Sequence, residues 1–155
     1  MKWQIYLTGP TPSANQILRW PTEKWKGRNT LVNKLTYELQ VQHLQGMKRH
    51  EYQRTPIFPA EIMIIRQFDN YKVKPMDADN FAGGCKFLID AIRHAKIIQD
   101  DNRHSALLHF HQIPKSVGNK TKCMTIVLIR KWESPETYHK EIADLLVSYG
   151  VDKYY

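Results

Sequence analysis

Apolar residues change their spacing several times along this chain, and each change marks a predicted element. Residues 2–8 (KWQIYLT) form a short β-like run that ends in the turn-rich segment Gly9-Pro10-Thr11-Pro12-Ser13-Ala14-Asn15. From about 28 to 45, Leu31, Val32, Leu35, Leu39 and Leu44 recur at helical spacing, and Gly46 reads as the C-terminal stop. A basic, irregular stretch over 47–60 with Pro56 and Pro59 leads into EIMIIRQF (61–68), a second strand rich in β-branched residues. Phe81, Cys85, Leu88, Ile92 and Ala95 make one apolar stripe and predict a second helix, with Gly83–Gly84 marking a loop or a distorted first turn. ALLHFHQI (106–113) and KCMTIVLIRKW (122–132) read as a β-hairpin around the loop PKSVGNKT, and the last of these strands, apolar on both faces, belongs inside the sheet. Ser134-Pro135-Glu136 starts a third helix over about 134–150, with Tyr138, Ile142, Leu145 and Tyr149 on its buried side and Gly150 at its end. The expected fold is α/β (α+β), a single domain over 1–155 with a mixed sheet of about four strands, helices packed on it and an additional C-terminal helix.

Composition narrows the classes. With 155 residues, 42% of them hydrophobic, the chain can bury one core but is short for two ordinary domains. No run approaches the roughly 20 apolar residues that span a bilayer, and the start MKWQIYLTG lacks the apolar core of a signal peptide, so no membrane association and a cytoplasmic location are expected. Cys85 and Cys123 lack CxxC spacing and read as two reduced core thiols. The formal charge of +8 favours polyanionic partners, nucleic acid first.

Candidate chemistry concentrates between residues 77 and 101. In an extended segment, residues two apart face the same side, so Asp77 and Asp79 can present paired carboxylates. The following helix and a short return could bring Asp100 and Asp101 beside them, converging three or four carboxylates. Crowded carboxylates repel one another unless a hard cation such as Mg²⁺ offsets them, and Mg²⁺ can activate water and polarise a phosphodiester. Lys86 could then meet the scissile phosphate or the leaving group. The same residues also admit structural readings: Asp79 as a helix cap, Asp100-Asp101-Asn102 as a polar turn, Lys86 as a solvated helix residue.

Taken whole, PMDADNFAGGCKFLIDAIRHAKIIQDDN resembles the RusA-like family of Holliday junction resolvases. Asp77, Asp79 and Asn80 match its DxDN element, Lys86, Asp90, Ala91 and Ile92 its helix, and Ile97, Ile98, Asp100 and Asp101 its closing Asp pair. Pro12, Ser13 and Asn15 resemble its N-terminal Pro-Pro-Ser-x-Asn loop. The resemblance covers most of residues 1–130 and implies a small α/β fold, a homodimer with two active sites, Mg²⁺ dependence with Mn²⁺ as a substitute, no small-molecule cofactor, and paired cuts in branched DNA. It implies Asp77, Asp79, Asp101 and Lys86 as catalytic residues, with Asp100 a further metal candidate. Two features depart from the family: FAGGC between Asn80 and Lys86 is longer by close to one helical turn, and the segment beyond about 133 has no counterpart.

The DNA-contact candidates are Asn15, Arg19, Lys115 and Lys120, and the basic groups Lys24, Lys26, Arg28; Lys48, Arg49, Arg54; and Lys115, Lys120, Lys122 lie in or beside irregular segments where phosphates could be met. Trp20 and Trp25 could stack on unpaired bases or pack internally. His109 and His111 share one strand face, read as solvated or DNA-facing rather than metal-binding. Two rival functions stand beside junction cleavage: a nuclease for flaps or forks, and a DNA-binding protein without catalysis.

Overall fold

The computed structural model describes residues 2–18, 25–68, 75–101, 106–113 and 123–132. In chain order the elements are β1 (Gln4–Thr8), α1 (Ala14–Leu18), α2 (Trp25–Lys48), β2 (Ala60–Gln67), α3 (Ala78–Gly84), α4 (Lys86–His94), β3 (Ala106–Ile113) and β4 (Met124–Lys131). The strands form one mixed sheet in the order β1-β4-β2-β3, and the fold is α+β. The predicted C-terminal helix over 134–150 lies outside the described residues.

The two-residue period of a strand explains which side chains go where. In β2, Ile62 and Ile64 join Val127 and Ile129 of β4 and Tyr6 of β1 in a core covered by Leu35 and Leu39 of α2, Phe81 of α3 and Leu88 and Ile92 of α4. The alternate residues Met63 and Ile65 point to the other face, where they pack with Ile126 and Leu128, flanked by Trp3, Ile5, Ile113 and Met124. No helical residue among those described belongs to this second cluster.

The expected hairpin does not form. β3 runs parallel to β2, with Ala60 opposite Ala106 and Gln67 opposite Ile113, while β4 runs antiparallel on the far side of β2. The reason lies in the side chains. β2 and β4 are buried along almost their whole length and need neighbours on both edges, whereas β3, with His109, His111 and Gln112, is only half-buried and suits a sheet edge. β4 is an interior strand, as its apolar faces require.

The other edge strand, β1, is blocked against pairing with a further chain. Tyr52 Oη receives the Ile5 N–H at 3.0 Å and donates to the Ile5 carbonyl, and Gln42 does the same for Leu7 at 2.9 and 2.8 Å. Both side chains copy the donor and acceptor of an absent strand. His43 and Tyr52 also pack against the buried Tyr6 ring, whose hydroxyl donates to Gln4 Oε1 at 2.7 Å. A hydroxyl has one proton, so at the 2.8 Å contact between Tyr6 Oη and His43 Nδ1 the imidazole is the donor.

Both long helical segments end on residues with positive φ. α2 runs through Gly46 to Lys48 and closes at His50 (φ 59°), with Glu51 N–H on the Gly46 carbonyl at 2.9 Å and His50 N–H on Met47 at 3.1 Å. Gly46 is therefore not the stop. Instead the Tyr52 ring lies where its Cβ would be, 2.2 Å away. α4 repeats this closure at Lys96 (φ 61°), where Ile97 N–H reaches the Ile92 carbonyl at 3.3 Å and Lys96 N–H reaches Arg93 at 3.0 Å. The left-handed conformation strains an exposed lysine and suits glycine. Lys96→Gly should therefore raise stability by up to about 1 kcal/mol in urea denaturation, against the usual cost of adding a glycine.

No helix among the described residues is long and apolar enough to cross a membrane.

Candidate active site

The DADN segment is held in place by residues distant in sequence. Met76 N–H donates to Gln112 Oε1 at 2.8 Å and the Met76 carbonyl accepts from Gln112 Nε2 at 2.6 Å, tying the chain before Asp77 to the end of β3. Asp77 is still extended (φ −57°, ψ 146°), and its carbonyl takes the first helical bond, from Phe81 N–H at 2.9 Å. Asp79 stands in the first turn of α3. The two aspartates are thus not paired by strand alternation, as their spacing suggested. Asp77 precedes the helix and Asp79 lies within its first turn, so the start of α3 falls between them.

Their side chains stay unengaged. Asp77 occupies the N-cap position without a side-chain cap bond, and Asp77 and Asp79 are both exposed. The capping role allowed for Asp79 is not seen. It is Asn80 that does structural work here, accepting the Asn15 N–H at 3.0 Å through Oδ1.

That bond joins the site to the N-terminal loop. α1 is opened by a reciprocal pair in which Ser13 Oγ accepts the Gln16 N–H at 3.1 Å and Gln16 Oε1 accepts the Ser13 N–H at 2.8 Å. The Ser-x-x-Gln spacing over 13–16 was the available signal for this short helix inside a segment read as turn. Arg66, at the end of β2, donates from Nη1 to the Thr11 carbonyl at 2.7 Å and lies 3.6 Å from Met76 Sδ, bridging the loop and the DADN segment.

Gly83 and Gly84 belong to α3 rather than to a loop. A Cβ on Gly84 would stand 2.0 Å from the Pro12 carbonyl oxygen, and one on Gly83 would stand 2.9 Å from Ala14 Cβ. The glycine pair lets the Pro12–Asn15 loop lie directly against the helix. Gly84→Ala, which in an ordinary helix adds about 1 kcal/mol, should here cost roughly 1–3 kcal/mol in chemical denaturation.

Lys86 opens α4 and is exposed. Cys85 bridges α3 and α4 with its N–H on the Phe81 carbonyl and its own carbonyl bonded to Ile89 N–H, both at 3.0 Å, so the helical path is nearly continuous. Lys86 is seven positions after Asp79, two turns and about 10 Å of rise, which keeps both close to one side of the helix. The Cys85 thiol is pushed up to about 12, chiefly by burial, and stays protonated.

Asp100 and Asp101 follow the buried pair Ile97 and Ile98, where Ile98 forms a parallel bridge with Ile57. Asp100 Oδ1 accepts the Asp101 N–H at 2.8 Å, and Asp101 Oδ1 lies 3.8 Å from Arg93 in the last turn of α4. The structure thus joins Asn15 to Asn80, beside the exposed Asp77 and Asp79 in sequence, and engages Asp100 and Asp101 in local contacts. Among the described residues, no three His, Cys, Asp or Glu side chains are grouped to hold an ion. Mg²⁺ commonly keeps several waters and uses only one or two carboxylates together with substrate phosphates. The exposed Asp77 and Asp79 pair fits that donor set.

The histidine face differs from its expected solvated character. His109 Nε2 lies 3.4 Å from Glu61 Oε1, and Glu61 Oε2 accepts from Arg130 Nε at 2.6 Å, with Glu61 1% and Arg130 5% exposed. Arg130 stacks 4.3 Å from the Trp3 ring centre. Glu61 and Arg130 are direct cross-strand partners in β2 and β4, so a charge in each apolar strand run was the sequence signal for this pair. Elsewhere, Arg28 lies 4.7 Å over Phe87 and Arg49 pairs with Glu51 at 2.9 Å. Arg19, Trp20, Lys24, Lys115, Lys120 and Lys122 lie outside the described residues.

Burial lowers the pKa of His43, His109 and His111 below the ordinary value near 6.5, at His109 despite the attraction of Glu61. The folded chain therefore prefers neutral imidazoles, and the unfolded chain protonates first as pH falls. Stability from these groups is fully present above about pH 6.5 and declines below it, towards the depressed folded-state values. The urea midpoint should be lower at pH 5.5 than at pH 7.5, and His109→Gln should flatten part of that slope.

No protein-family model and no curated protein matches this chain.

Proposed function

We propose that this chain is a Mg²⁺-dependent endonuclease of the RusA-like kind, cutting branched DNA and four-way junctions first, working in the cytoplasm as a homodimer. One observation carries the reading. Two motif segments 65 positions apart, the Pro12–Asn15 loop and Asp77–Asn80, meet through the 3.0 Å bond from Asn15 to Asn80. Their supporting groups are engaged in bonds while the Asp77 and Asp79 carboxylates are left exposed. A carboxylate pair without a structural task, set in a chain of charge +8, suits a hard cation shared with a phosphate.

Asp77 and Asp79 would hold the ion, and Asp101 would join once its contact with Arg93 is exchanged, with Asp100 as the alternative donor. The bound ion supplies Lewis-acid polarisation of the phosphodiester and a lowered pKa for attacking water. The chain's own contributions are different. Asn80 and Asn15 fix the loop against the helix, and Lys86, on the same side of α3–α4, offers a positive charge to the phosphate or the leaving oxygen. Asn15, Arg19, Lys115 and Lys120 are the proposed DNA contacts.

The test is cleavage of a synthetic four-way junction, beside flap, fork and linear duplex, in Mg²⁺ or Mn²⁺. The parent should cut the junction fastest, and Asp79→Asn should lose on the order of 100-fold or more in rate while still binding the junction. Faster cutting of flaps or forks would move the substrate assignment. Equal cutting by parent and Asp79→Asn would remove these aspartates from the chemistry, and salt-sensitive binding without cleavage in either metal would leave a DNA-binding protein.

A further inference from the structure

We propose that Gln112 is a positioning residue for Asp77, setting the direction of its carboxylate and through it the affinity for a divalent cation. The inference rests on the metal reading above and adds to it a residue 35 positions away from Asp77, on a different element.

The geometry is that of a clamp. Gln112 Nε2 donates to the Met76 carbonyl at 2.6 Å and Gln112 Oε1 accepts the Met76 N–H at 2.8 Å. A primary amide that bonds both main-chain groups of one residue reproduces the pair of bonds a neighbouring strand would make. Met76 is therefore held by the Gln112 side chain over the face of the sheet that carries Leu108 and Phe110. Gln112 is itself fixed, because β3 is paired along its length with β2 and Gln112 stands opposite Arg66.

Asp77 is the next residue, and its conformation is bracketed. On one side is the clamp at Met76. On the other is the first helical bond, from Phe81 N–H to the Asp77 carbonyl at 2.9 Å. Between them the φ of −57° and ψ of 146° leave one direction for the Cα–Cβ bond. The carboxylate has no cap bond of its own, so the backbone's placement of the Cα–Cβ bond is what limits where it can reach. Groups that orient a metal's carboxylate from behind typically change metal affinity 10–100-fold when removed.

The clamp needs a donor and an acceptor on one planar group. Leucine has the volume and neither function, and glutamate keeps the acceptor for the Met76 N–H but sets a second oxygen against the Met76 carbonyl. Tyr52→Phe is the matched control, since it removes a similar pair of backbone bonds at the opposite edge strand.

The experiment titrates Mn²⁺, standing in for Mg²⁺, into the full chain without DNA and follows its electron paramagnetic resonance signal. Amide hydrogen exchange over 75–80, thermal unfolding and junction cleavage are read on the same samples. Gln112→Leu and Gln112→Glu should bind Mn²⁺ 10–100-fold more weakly, exchange the Met76 and Asp77 amides faster, and regain cleavage at saturating metal. Tyr52→Phe should unfold at a lower temperature and bind Mn²⁺ like the parent. Should Gln112→Leu fail to fold, Gln112→Glu carries the comparison. If the folded Gln112 variants bind Mn²⁺ as tightly as the parent, the positioning role is wrong while the metal site stands. If the parent itself binds no Mn²⁺ at Asp77 and Asp79, with Asp79→Asn indistinguishable from it, both readings fall.

Discussion

The structure depends first on two strands that cannot be left exposed. Ile62, Met63, Ile64 and Ile65 in β2 are all 0% exposed, and Ile126, Val127, Leu128 and Ile129 in β4 are at most 2% exposed. Four consecutive buried side chains in a strand require cover on both faces of the sheet. Burial of one such side chain is worth about 1.5–3 kcal/mol, so exposing part of either strand at an edge would cost a large share of the roughly 5–15 kcal/mol that holds a domain folded. β2 and β4 are therefore interior, and the less apolar β1 and β3 take the edges. Side chains near the strand ends then hold other segments: Gln112 of β3 bonds the Met76 backbone, Arg66 of β2 bonds the Thr11 carbonyl, and the open edge of β1 is closed by Tyr52 and Gln42.

The same interior strands carry a buried charged pair, Glu61–Arg130, with His109 beside it. Taking two charges out of water is costly, and such a pair is weak evidence for stability. It does specify register. A slip of one residue between β2 and β4 would put Glu61 opposite an isoleucine or a lysine and leave the buried Arg130 without its carboxylate, a penalty of about 3–5 kcal/mol. The pair thus works against alternative alignments of two strands whose apolar residues alone would tolerate several.

How much of this was legible in the sequence follows from how local each cause is. Periodicity located α2, β2, β4 and the α3–α4 stripe, because burial acts on side chains at fixed spacing. The hairpin expected from β3 and β4 failed because a long connection can cross another strand, and pairing depends on which strand most needs two neighbours. Gly46 and Gly83–Gly84 were read from local rules for helix ends, whereas their role is to admit the Tyr52 ring and the Pro12 carbonyl, contacts with no local signature. At the candidate site the motif pointed to Asp77, Asp79 and Asn80, and the structure adds which of the three is bonded. Gln112 was not foreseen, since nothing near Asp77 reports a side chain that reaches its backbone from another strand.

The division of labour within DADN is the last step. An aspartate at an N-cap normally satisfies an orphan N–H, an arrangement worth about 1 kcal/mol. Asp77 holds that position and makes no such bond, although Asp is among the best residues for it. Asp79, in the first turn of α3, stands where the helix dipole favours a negative charge, whereas Asp77 leaves its capping bond unmade. The segment instead leaves to Asn80 and the Met76 backbone the bonds that hold it in place, both of which work without a charge. On the function proposed above, a cation would give the uncapped Asp77 carboxylate a partner and would remove the repulsion that a phosphate meets on approaching carboxylates. On that reading, metal and phosphodiester bind this site with mutual reinforcement rather than independently.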